Sequence, residues 1–329
     1  MAERVDALYF FLVAVSAAFV LLIVGLLLYF AVKYRRRSED DRPGPVPTSI
    51  ALEIGWMVVP LGLAMIMFVW GAKVYMTLVS PPQDALEVYA IGKQWMWKFQ
   101  HLDGQREINE LHVPVGRPVK LTLTSQDVIH SFFVPAFRVK TDVLPGRYTT
   151  VWFEATKPGS YHLFCAEYCG TQHSGMIGQV VVMEPAQYQS WLSGGGEELA
   201  GAGQAPGAPA VGSLAAEGQK LFQRLGCDAC HRLDVQGTCP MLAGLYGRPV
   251  RLQSGETIIV DDSYVRQSIL NPAAKVVAGF QAIMPAYQGR VGEEELVQLI
   301  AYIKSLREQP APGAPRAAPA GVQPRPSER

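Results

Sequence analysis

The chain has 329 residues, enough for two or three domains rather than a single core. Its 29 Lys and Arg residues balance its 29 Asp and Glu residues, so composition argues against a partner such as nucleic acid that binds through net charge. Hydrophobic residues make up 49% of the chain and are concentrated in residues 1–80. This uneven distribution indicates a membrane segment joined to exterior domains.

Residues 1–80 predict a transmembrane hairpin with helices at about 7–32 and 52–79. The first stretch is uncharged, and the second contains an uncharged run from Ile54 to Ala72. Both are close to the length of roughly 20 residues that crosses a bilayer as a helix. The first stretch is too long for the apolar region of a cleavable signal peptide. A buried helix pair in a soluble protein is the alternative interpretation.

The loop between the two apolar stretches is basic, and by the positive-inside rule it lies in the cytoplasm. We therefore expect both termini, and all residues after the hairpin, on the outer side of the plasma membrane. The charges that carry this prediction are those of Lys33, Arg35, Arg36, Arg37 and Arg42.

The exterior part divides by composition into two folded domains. Residues 81–193 contain short alternating runs separated by Pro-Gly turns, which predict a small antiparallel β-sandwich or barrel. Residues 213–309 begin and end with helical spacing of apolar residues, which predicts an all-α domain whose first and last helices pack together. Between them, residues 194–212 are rich in Gly, Ala and Pro and read as a flexible linker, and residues 310–329 read as a disordered tail.

The α domain contains the sequence C-D-A-C-H, formed by Cys227, Cys230 and His231. This is the pattern of covalent haem c attachment, in which two thiols add to the haem vinyl groups and the adjacent imidazole binds the iron. A redox disulfide or half of a zinc site is the alternative interpretation of the pair.

The α domain resembles the class I cytochromes c over most of its length. Gly218 and Phe222 match the first helix of that family, and Tyr302 matches its last helix. The family's distal iron ligand is a methionine before the last helix, which the resemblance assigns to Met284. Met241 is the competing candidate, and we interpret it as an apolar neighbour of the haem.

A second group of soft ligands lies in the β domain. Two thiols, two imidazoles and one thioether are ligands that hold copper, and five are too many for one blue-copper ion. The sequence therefore predicts two metal ions, while a disulfide-closed hairpin is the alternative. The five ligands are His130, Cys165, Cys169, His173 and Met176.

These residues identify a resemblance of residues 3–193 to subunit II of the haem-copper cytochrome c oxidases, whose exterior domain is a cupredoxin barrel with a dinuclear copper-A centre. The resemblance implies that Cys165 and Cys169 bridge the two copper ions. It implies further that His130 and Met176 complete one copper site, and that His173 and the carbonyl of Glu167 complete the other. The family also places the Glu167 carboxylate on a magnesium ion shared with subunit I.

Other positions extend the resemblance. Trp95, in Q-W-M-W-K-F, matches the position where electrons enter from cytochrome c, with sheet packing as the alternative. Residues 139–147 match the segment that lies against subunit I. Glu53 matches a carboxylate at the mouth of a proton pathway, although an interfacial Glu that reaches for water explains it equally well. Cys239, the fifth cysteine, reads as a small buried hydrophobe, with a reactive thiol as the alternative. The remaining histidines, His101, His112 and His162, read as ordinary surface or sheet residues.

The whole chain resembles the fused subunit II of caa3-type oxidases of the bacterial plasma membrane. The resemblance implies that electrons pass from a cytochrome c or a bc1-type complex to haem c, then to copper-A, and then to a haem in subunit I. There oxygen is reduced and protons are translocated. The implied partners are subunit I, subunit III and the lipid bilayer. A freestanding membrane-anchored electron carrier without an oxidase partner is the alternative function.

Overall fold

The computed structural model describes residues 1–38, 44, 48–194, 213–231 and 239–308. The segment expected to be a linker lies outside these residues except for Gly194, and the segment expected to be a disordered tail lies wholly outside them.

Two helices begin the chain, α1 (Ala2–Lys33) and α2 (Ile50–Val79). Both are long and apolar enough to cross a membrane, and neither contains a buried residue. This exposure of apolar side chains on all sides is typical of helices that contact lipid.

The β domain consists of two five-stranded sheets, as expected for a cupredoxin-like sandwich. The first sheet has the order β3-β2-β1-β5-β8 and the second the order β4-β10-β9-β6-β7. The ten strands are β1 (Leu86–Lys93), β2 (Met96–His101), β3 (Arg106–Ile108), β4 (Glu110–Pro114), β5 (Pro118–Ser125), β6 (His130–Val134), β7 (Val139–Val143), β8 (Thr149–Glu154), β9 (Gly159–Cys165) and β10 (Ile177–Met183).

The predicted β-sandwich is confirmed, but its sheets are mixed rather than antiparallel throughout, because β1 pairs with β5 and β4 with β10 in the parallel direction. Alternation of apolar residues determines which face of a strand is buried and carries no information about the direction of its neighbour. Large apolar side chains from both sheets fill the space between them, among them Trp97, Phe99, Leu121, Phe132 and Leu163.

Helix α3 (Pro185–Gly194) follows the last strand of the sandwich. Its aromatic side chains cover one end of the β domain, since Tyr188 is buried and Trp191 stacks on His112 with ring centroids 4.8 Å apart.

The sandwich also contacts the membrane hairpin. Trp152 Nε1 donates to the carbonyl of Thr77 at 3.0 Å, and Arg138 forms an ion pair with Asp6 at 2.7 Å.

The C-terminal domain contains α4 (Leu214–Arg224), α5 (Asp262–Leu270) and α6 (Glu293–Ser305). Helices α4 and α6 pack together as predicted, and a Cβ added at Gly218 would lie 1.9 Å from the carbonyl oxygen of Gln298. Only glycine therefore permits this close approach. The domain also has a short hairpin of β11 (Pro249–Arg251) and β12 (Thr257–Ile259), which the sequence pattern did not predict because three-residue strands show no clear period.

The cytochrome-like domain is docked on the β sandwich. Two residues of β1, Tyr89 and Ile91, form one buried apolar cluster with Leu214 of α4 and with Val297 and Ala301 of α6. Each of the five is at most 4% exposed, so this contact excludes water in the same way as the core of a domain.

Candidate copper and haem centres

Three segments of the second sheet bring the predicted copper ligands together. Cys165 is the last residue of β9, Met176 directly precedes β10, and His130 is the first residue of β6. The loop between β9 and β10 carries the remaining ligands. Neighbouring strands fix both ends of this loop. The Sγ atoms of Cys165 and Cys169 lie 3.7 Å apart, and the two residues do not form a disulfide. The alternative of a disulfide-closed hairpin is therefore not what the structure shows.

Each thiol has its own imidazole. Nδ1 of His130 lies 3.9 Å from Sγ of Cys165, and Nδ1 of His173 lies 3.5 Å from Sγ of Cys169. The weaker ligands are in place as well, since Met176 Sδ is 3.8 Å from Cys169 Sγ and the Glu167 carbonyl oxygen is 3.2 Å from Cys165 Sγ. All six residues assigned to the copper-A centre thus surround one small volume.

The second nitrogen of His130 is held by a residue that the sequence analysis missed. Nε2 of the buried His130 donates to Oδ1 of Asp127 at 2.8 Å, which leaves the lone pair of Nδ1 directed at the thiols. Asp127 is itself fixed by the backbone N–H groups of Gln94 and Val128 at 2.8 and 2.7 Å. The signal in the sequence was a carboxylate three residues before a candidate ligand.

The two thiols differ in acidity. Burial raises the pKa of the Cys165 thiol by itself, but the hydrogen bond with His130 and two backbone hydrogen bonds outweigh this and lower it to about 6. Burial, together with the neighbouring Cys165, raises the pKa of Cys169 to about 12. Two thiolates this close repel each other, so a positive charge between them is needed to hold both in the ionised form. A pair of copper ions supplies that charge, and the donor set of soft sulfur and imidazole ligands fits copper.

Trp95 and its neighbour Gln94 both contact Cys169. Nε1 of Trp95 donates to the carbonyl oxygen of Cys169 at 3.2 Å, and Gln94 Nε2 donates to the same oxygen at 2.8 Å. The half-buried indole is therefore joined to a predicted copper ligand by one hydrogen bond. Two other residues of the predicted site are exposed, Glu167 in the ligand loop and Glu53 in the first turn of α2.

The haem motif borders the main cavity of the C-terminal domain. This cavity has an empty volume of about 1110 Å³, including the part open to solvent, and its lining is almost wholly apolar. The lining includes Cys227, His231 and Met284, which belong to the predicted haem ligands. Met241 does not line the cavity, although its neighbours Pro240 and Leu242 do. Buried Cys239 lines the same cavity, in agreement with its interpretation as a small apolar neighbour.

The orientation of His231 suits an iron ligand. Its Nδ1 donates to the carbonyl oxygen of Pro240 at 3.0 Å, so Nε2 carries the free lone pair. Met284 packs against the apolar core on the wall of the same cavity. An apolar slot with an oriented imidazole, a thioether and an attachment cysteine is what haem c requires.

A buried polar cluster beneath α3 was also missed. The side chain of Glu107 is 8% exposed and accepts hydrogen bonds from His101 Nε2 at 2.7 Å and from Nδ1 of His112. His101 and His112 were interpreted as ordinary surface or sheet residues, yet His101 is only 1% exposed. No pattern in the sequence pairs them with Glu107, because the cluster forms only when β2, β3 and β4 come together in the folded domain. The Glu107 cluster is not arranged as a metal site. In the part of the chain that the structure describes, the one group of three or more His, Cys, Asp or Glu residues close enough together to hold a metal is His130, Cys165 and Cys169.

The fold and these two centres define a membrane-anchored protein with a cupredoxin-like domain and a cytochrome c domain. Residues 105–184 match the family model of the periplasmic domain of cytochrome c oxidase subunit II, and residues 215–307 match the family model of cytochrome c. These families imply a copper-A centre and haem c.

Relatives cover most of the chain. It is 30% identical over 309 residues to cytochrome c oxidase subunit 2 of Alkalihalophilus pseudofirmus, an alignment covering 90% of this chain and 85% of the relative. It is 29% identical to the same subunit of Synechocystis, covering 58% of this chain and 72% of the relative. A crystal structure of the periplasmic domain of subunit II from Bradyrhizobium japonicum is 33% identical, with a TM-score of 0.34, and covers 35% of this chain and 96% of that structure.

The chain therefore belongs to the cytochrome c oxidase subunit II family. It is the subunit II of a haem-copper oxidase, with a cytochrome c domain fused to its C-terminal side as in the caa3 type, and it assembles with subunit I.

Proposed function

We propose that this subunit receives electrons at a covalently bound haem c, relays them to copper-A and delivers them to the haem of subunit I, where oxygen is reduced to water and protons are translocated. The observation that carries this proposal is the presence of two separate donor sets in one chain. One surrounds the thiol pair Cys165 and Cys169, and the other lines the cavity at His231 and Met284.

At the copper centre the protein's residues hold charge and restrict movement. Cys165 and Cys169 would hold both copper ions, with His130 and Met176 as further ligands of one ion and His173 and the Glu167 carbonyl as further ligands of the other. The strands on both sides of the ligand loop, together with the hydrogen bond from His130 to Asp127, resist displacement of the ligands. Small displacement keeps the cost of adding or removing one electron low, which suits a relay. Trp95 is the residue through which electrons from cytochrome c enter the copper centre, by its hydrogen bond to the carbonyl oxygen of Cys169.

At the haem centre, Cys227 and Cys230 would attach the haem covalently, and His231 and Met284 would bind its iron. A thioether ligand favours iron(II) and raises the reduction potential. Because His231 and Met284 would both bind the iron, a haem held in this way would leave no open position for oxygen and would transfer electrons only.

The remaining assignments concern the complex. Glu167 is exposed in the ligand loop, where its carboxylate is available to a magnesium ion at the contact with subunit I. Glu53 lies where a proton pathway begins, and both termini face the outer side of the plasma membrane. The donor is a cytochrome c or a bc1-type complex, and subunit III completes the assembly.

Metal analysis of the purified chain tests the central proposal. We expect two copper ions and one haem per chain, and the haem is expected to stay attached during denaturing electrophoresis. One copper per chain, or haem that extracts into acidic acetone, would contradict it. Co-purification with a large haem-copper subunit separates an oxidase subunit from a freestanding carrier.

A further inference from the structure

Helix α6 lies between the haem cavity and the copper domain. Leu299 and Ile303 of this helix line the cavity, whereas Val297 and Ala301 pack against Tyr89 and Ile91 of β1. Residues two positions apart lie on opposite faces of a helix, so the two pairs point in opposite directions. One helix, about 10 Å across, therefore separates the cavity from the sandwich.

Charged groups surround this apolar contact. Lys98 on β2 forms an ion pair with Glu294 at the start of α6 at 2.5 Å, and Lys304 on the same helix binds Glu87 of β1 at 2.8 Å. Arg266 of α5 donates to the carbonyl oxygen of Gly146 at 2.8 Å. An apolar centre with a polar rim is the composition of a specific interface.

The contact reaches a copper ligand through β1. Ile91 faces α6, and the next residue, Gly92, faces the interior of the sandwich. A Cβ added at Gly92 would lie 2.8 Å from Cδ2 of His130, so the backbone of β1 touches the imidazole directly. Gln126 adds a second connection, because its backbone N–H donates to the carbonyl oxygen of Gly92 at 3.0 Å and its side chain donates to Glu294 at 3.4 Å.

Both ends of the connecting segment are attached to the same turn of the β domain. Gln105 donates to the carbonyl oxygen of Leu192, near the end of α3, and the backbone N–H of Leu214, at the start of α4, donates to the carbonyl oxygen of Leu102. The connection therefore begins and ends beside one loop. The docked position requires no long reach between the two domains.

We infer that the face of α6 formed by Glu294, Val297, Ala301 and Lys304 is a fixed electron-transfer contact that leads through Ile91 and Gly92 to His130. This inference rests on the proposed function, in which one electron leaves the haem iron, which is oxidised, and reduces the copper pair. It differs from a free tether, since the chain docks its own cytochrome c domain on the His130 side of the copper site. Trp95, on the Cys169 side, then serves an external donor rather than this internal transfer.

A charge-reversal series tests the contact in the full chain reconstituted in lipid nanodiscs. E294K places two like charges together at Lys98, and K98E does the same with two carboxylates, while the double variant K98E/E294K restores an opposite pair. The matched control is E295K, one residue further along, because Glu295 pairs with Arg224 inside the cytochrome c domain at 3.2 Å.

Two measurements are made on each variant. Hydroxyl-radical footprinting reports the exposure of Tyr89, which is 1% exposed when the domains are docked, and it does not depend on redox activity. Flash reduction of haem c then gives the rate at which its electron reaches copper. We expect E294K and K98E to expose Tyr89 and to slow internal transfer by about tenfold or more, because facing like charges strongly disfavours docking. The double variant should recover both properties, and E295K should change neither.

The outcomes separate this inference from the proposed function. If Tyr89 is labelled in the wild type, or if E294K exposes Tyr89 while the transfer rate stays the same, the contact is not the route and the inference is wrong. The same holds if Trp95→Phe slows internal transfer and E294K does not. If Tyr89 is protected in the wild type but reduced haem c never passes its electron to copper, the proposed relay itself fails.

Discussion

Oδ1 of Asp127 lies 2.8 Å from Nε2 of His130, on the side of the ring away from Cys165. The carboxylate thereby fixes which ring nitrogen carries the proton, and it keeps the lone pair of Nδ1 directed at the thiol pair. Such a partner fixes the orientation of a metal-binding histidine and raises its basicity as a ligand.

We expect Asp127→Ala to weaken copper binding by about 10- to 100-fold, because His130 loses the acceptor that orients it. Competition with a copper chelator, monitored by the absorption of the thiolate-bridged centre, measures this loss. Asp127→Asn keeps an oxygen acceptor and should retain most of the affinity. Equal losses in the two variants would show that the charge of Asp127, rather than its hydrogen bond, matters.

The haem cavity predicts a difference between two methionines. Met284 lines the cavity with His231, whereas Met241 does not line it. Met284→Ala should leave the haem attached and lower its reduction potential by on the order of 0.1 V, within the roughly 0.8 V range that axial ligands control. Met241→Ala should change the potential little. Redox titration of both variants decides, and a large decrease in the Met241 variant alone would reverse the assignment.

The buried cluster around Glu107 predicts a pH-dependent contribution to stability. Burial by itself raises the pKa of this carboxyl, but hydrogen bonds from His101 and His112 outweigh burial and lower it below its usual value. A lowered pKa in the folded state means that the ionised carboxylate stabilises the fold above the pKa of the unfolded chain, about 4.3, and that this contribution is lost as the pH falls through the folded value.

Glu107→Gln should therefore reduce the free energy of unfolding by about 2 kcal/mol at pH 7, the value of a lost charged hydrogen bond. The difference from the wild type should shrink as the pH falls below about 4.3. Thermal unfolding at several pH values provides the measurement. Exposed Glu110→Gln is the control and should stay within about 0.5 kcal/mol. A difference that is constant with pH would contradict the role of the ionised carboxylate.

Removal of copper should leave the β domain folded. Its core contains large apolar side chains from both sheets in addition to Cys165, Cys169 and Met176, so the fold does not depend on the metal alone. We expect an unchanged far-UV circular dichroism spectrum and a lower melting temperature, because a ligand that binds only the native state stabilises it. Return of two copper ions per chain should restore the melting temperature. Loss of the β spectrum on chelation would show that the metal is required for folding.

Several features of this protein follow from the sequence by itself. Two uncharged stretches indicate the membrane hairpin, and the spacing of Cys227, Cys230 and His231 marks the haem domain. The soft ligands Cys165, Cys169, His173 and Met176 lie close together in the sequence, so their assembly needs only one loop. These patterns can be recognised in the sequence because haem attachment and metal binding here use residues that are near each other along the chain.

Only the tertiary structure decided which residues support these sites. Asp127 and Glu107 acquire their roles from neighbours on other strands, and the parallel pairing of β1 with β5 leaves no trace in the period of either strand. The docked face of α6 meets β1 across roughly two hundred positions of sequence. The continuous buried run of residues 88–92 in β1 and the helical period that buries Ala301 do not show that Ile91 and Ala301 bury each other, because a sequence pattern shows that a residue is buried and not which residue covers it.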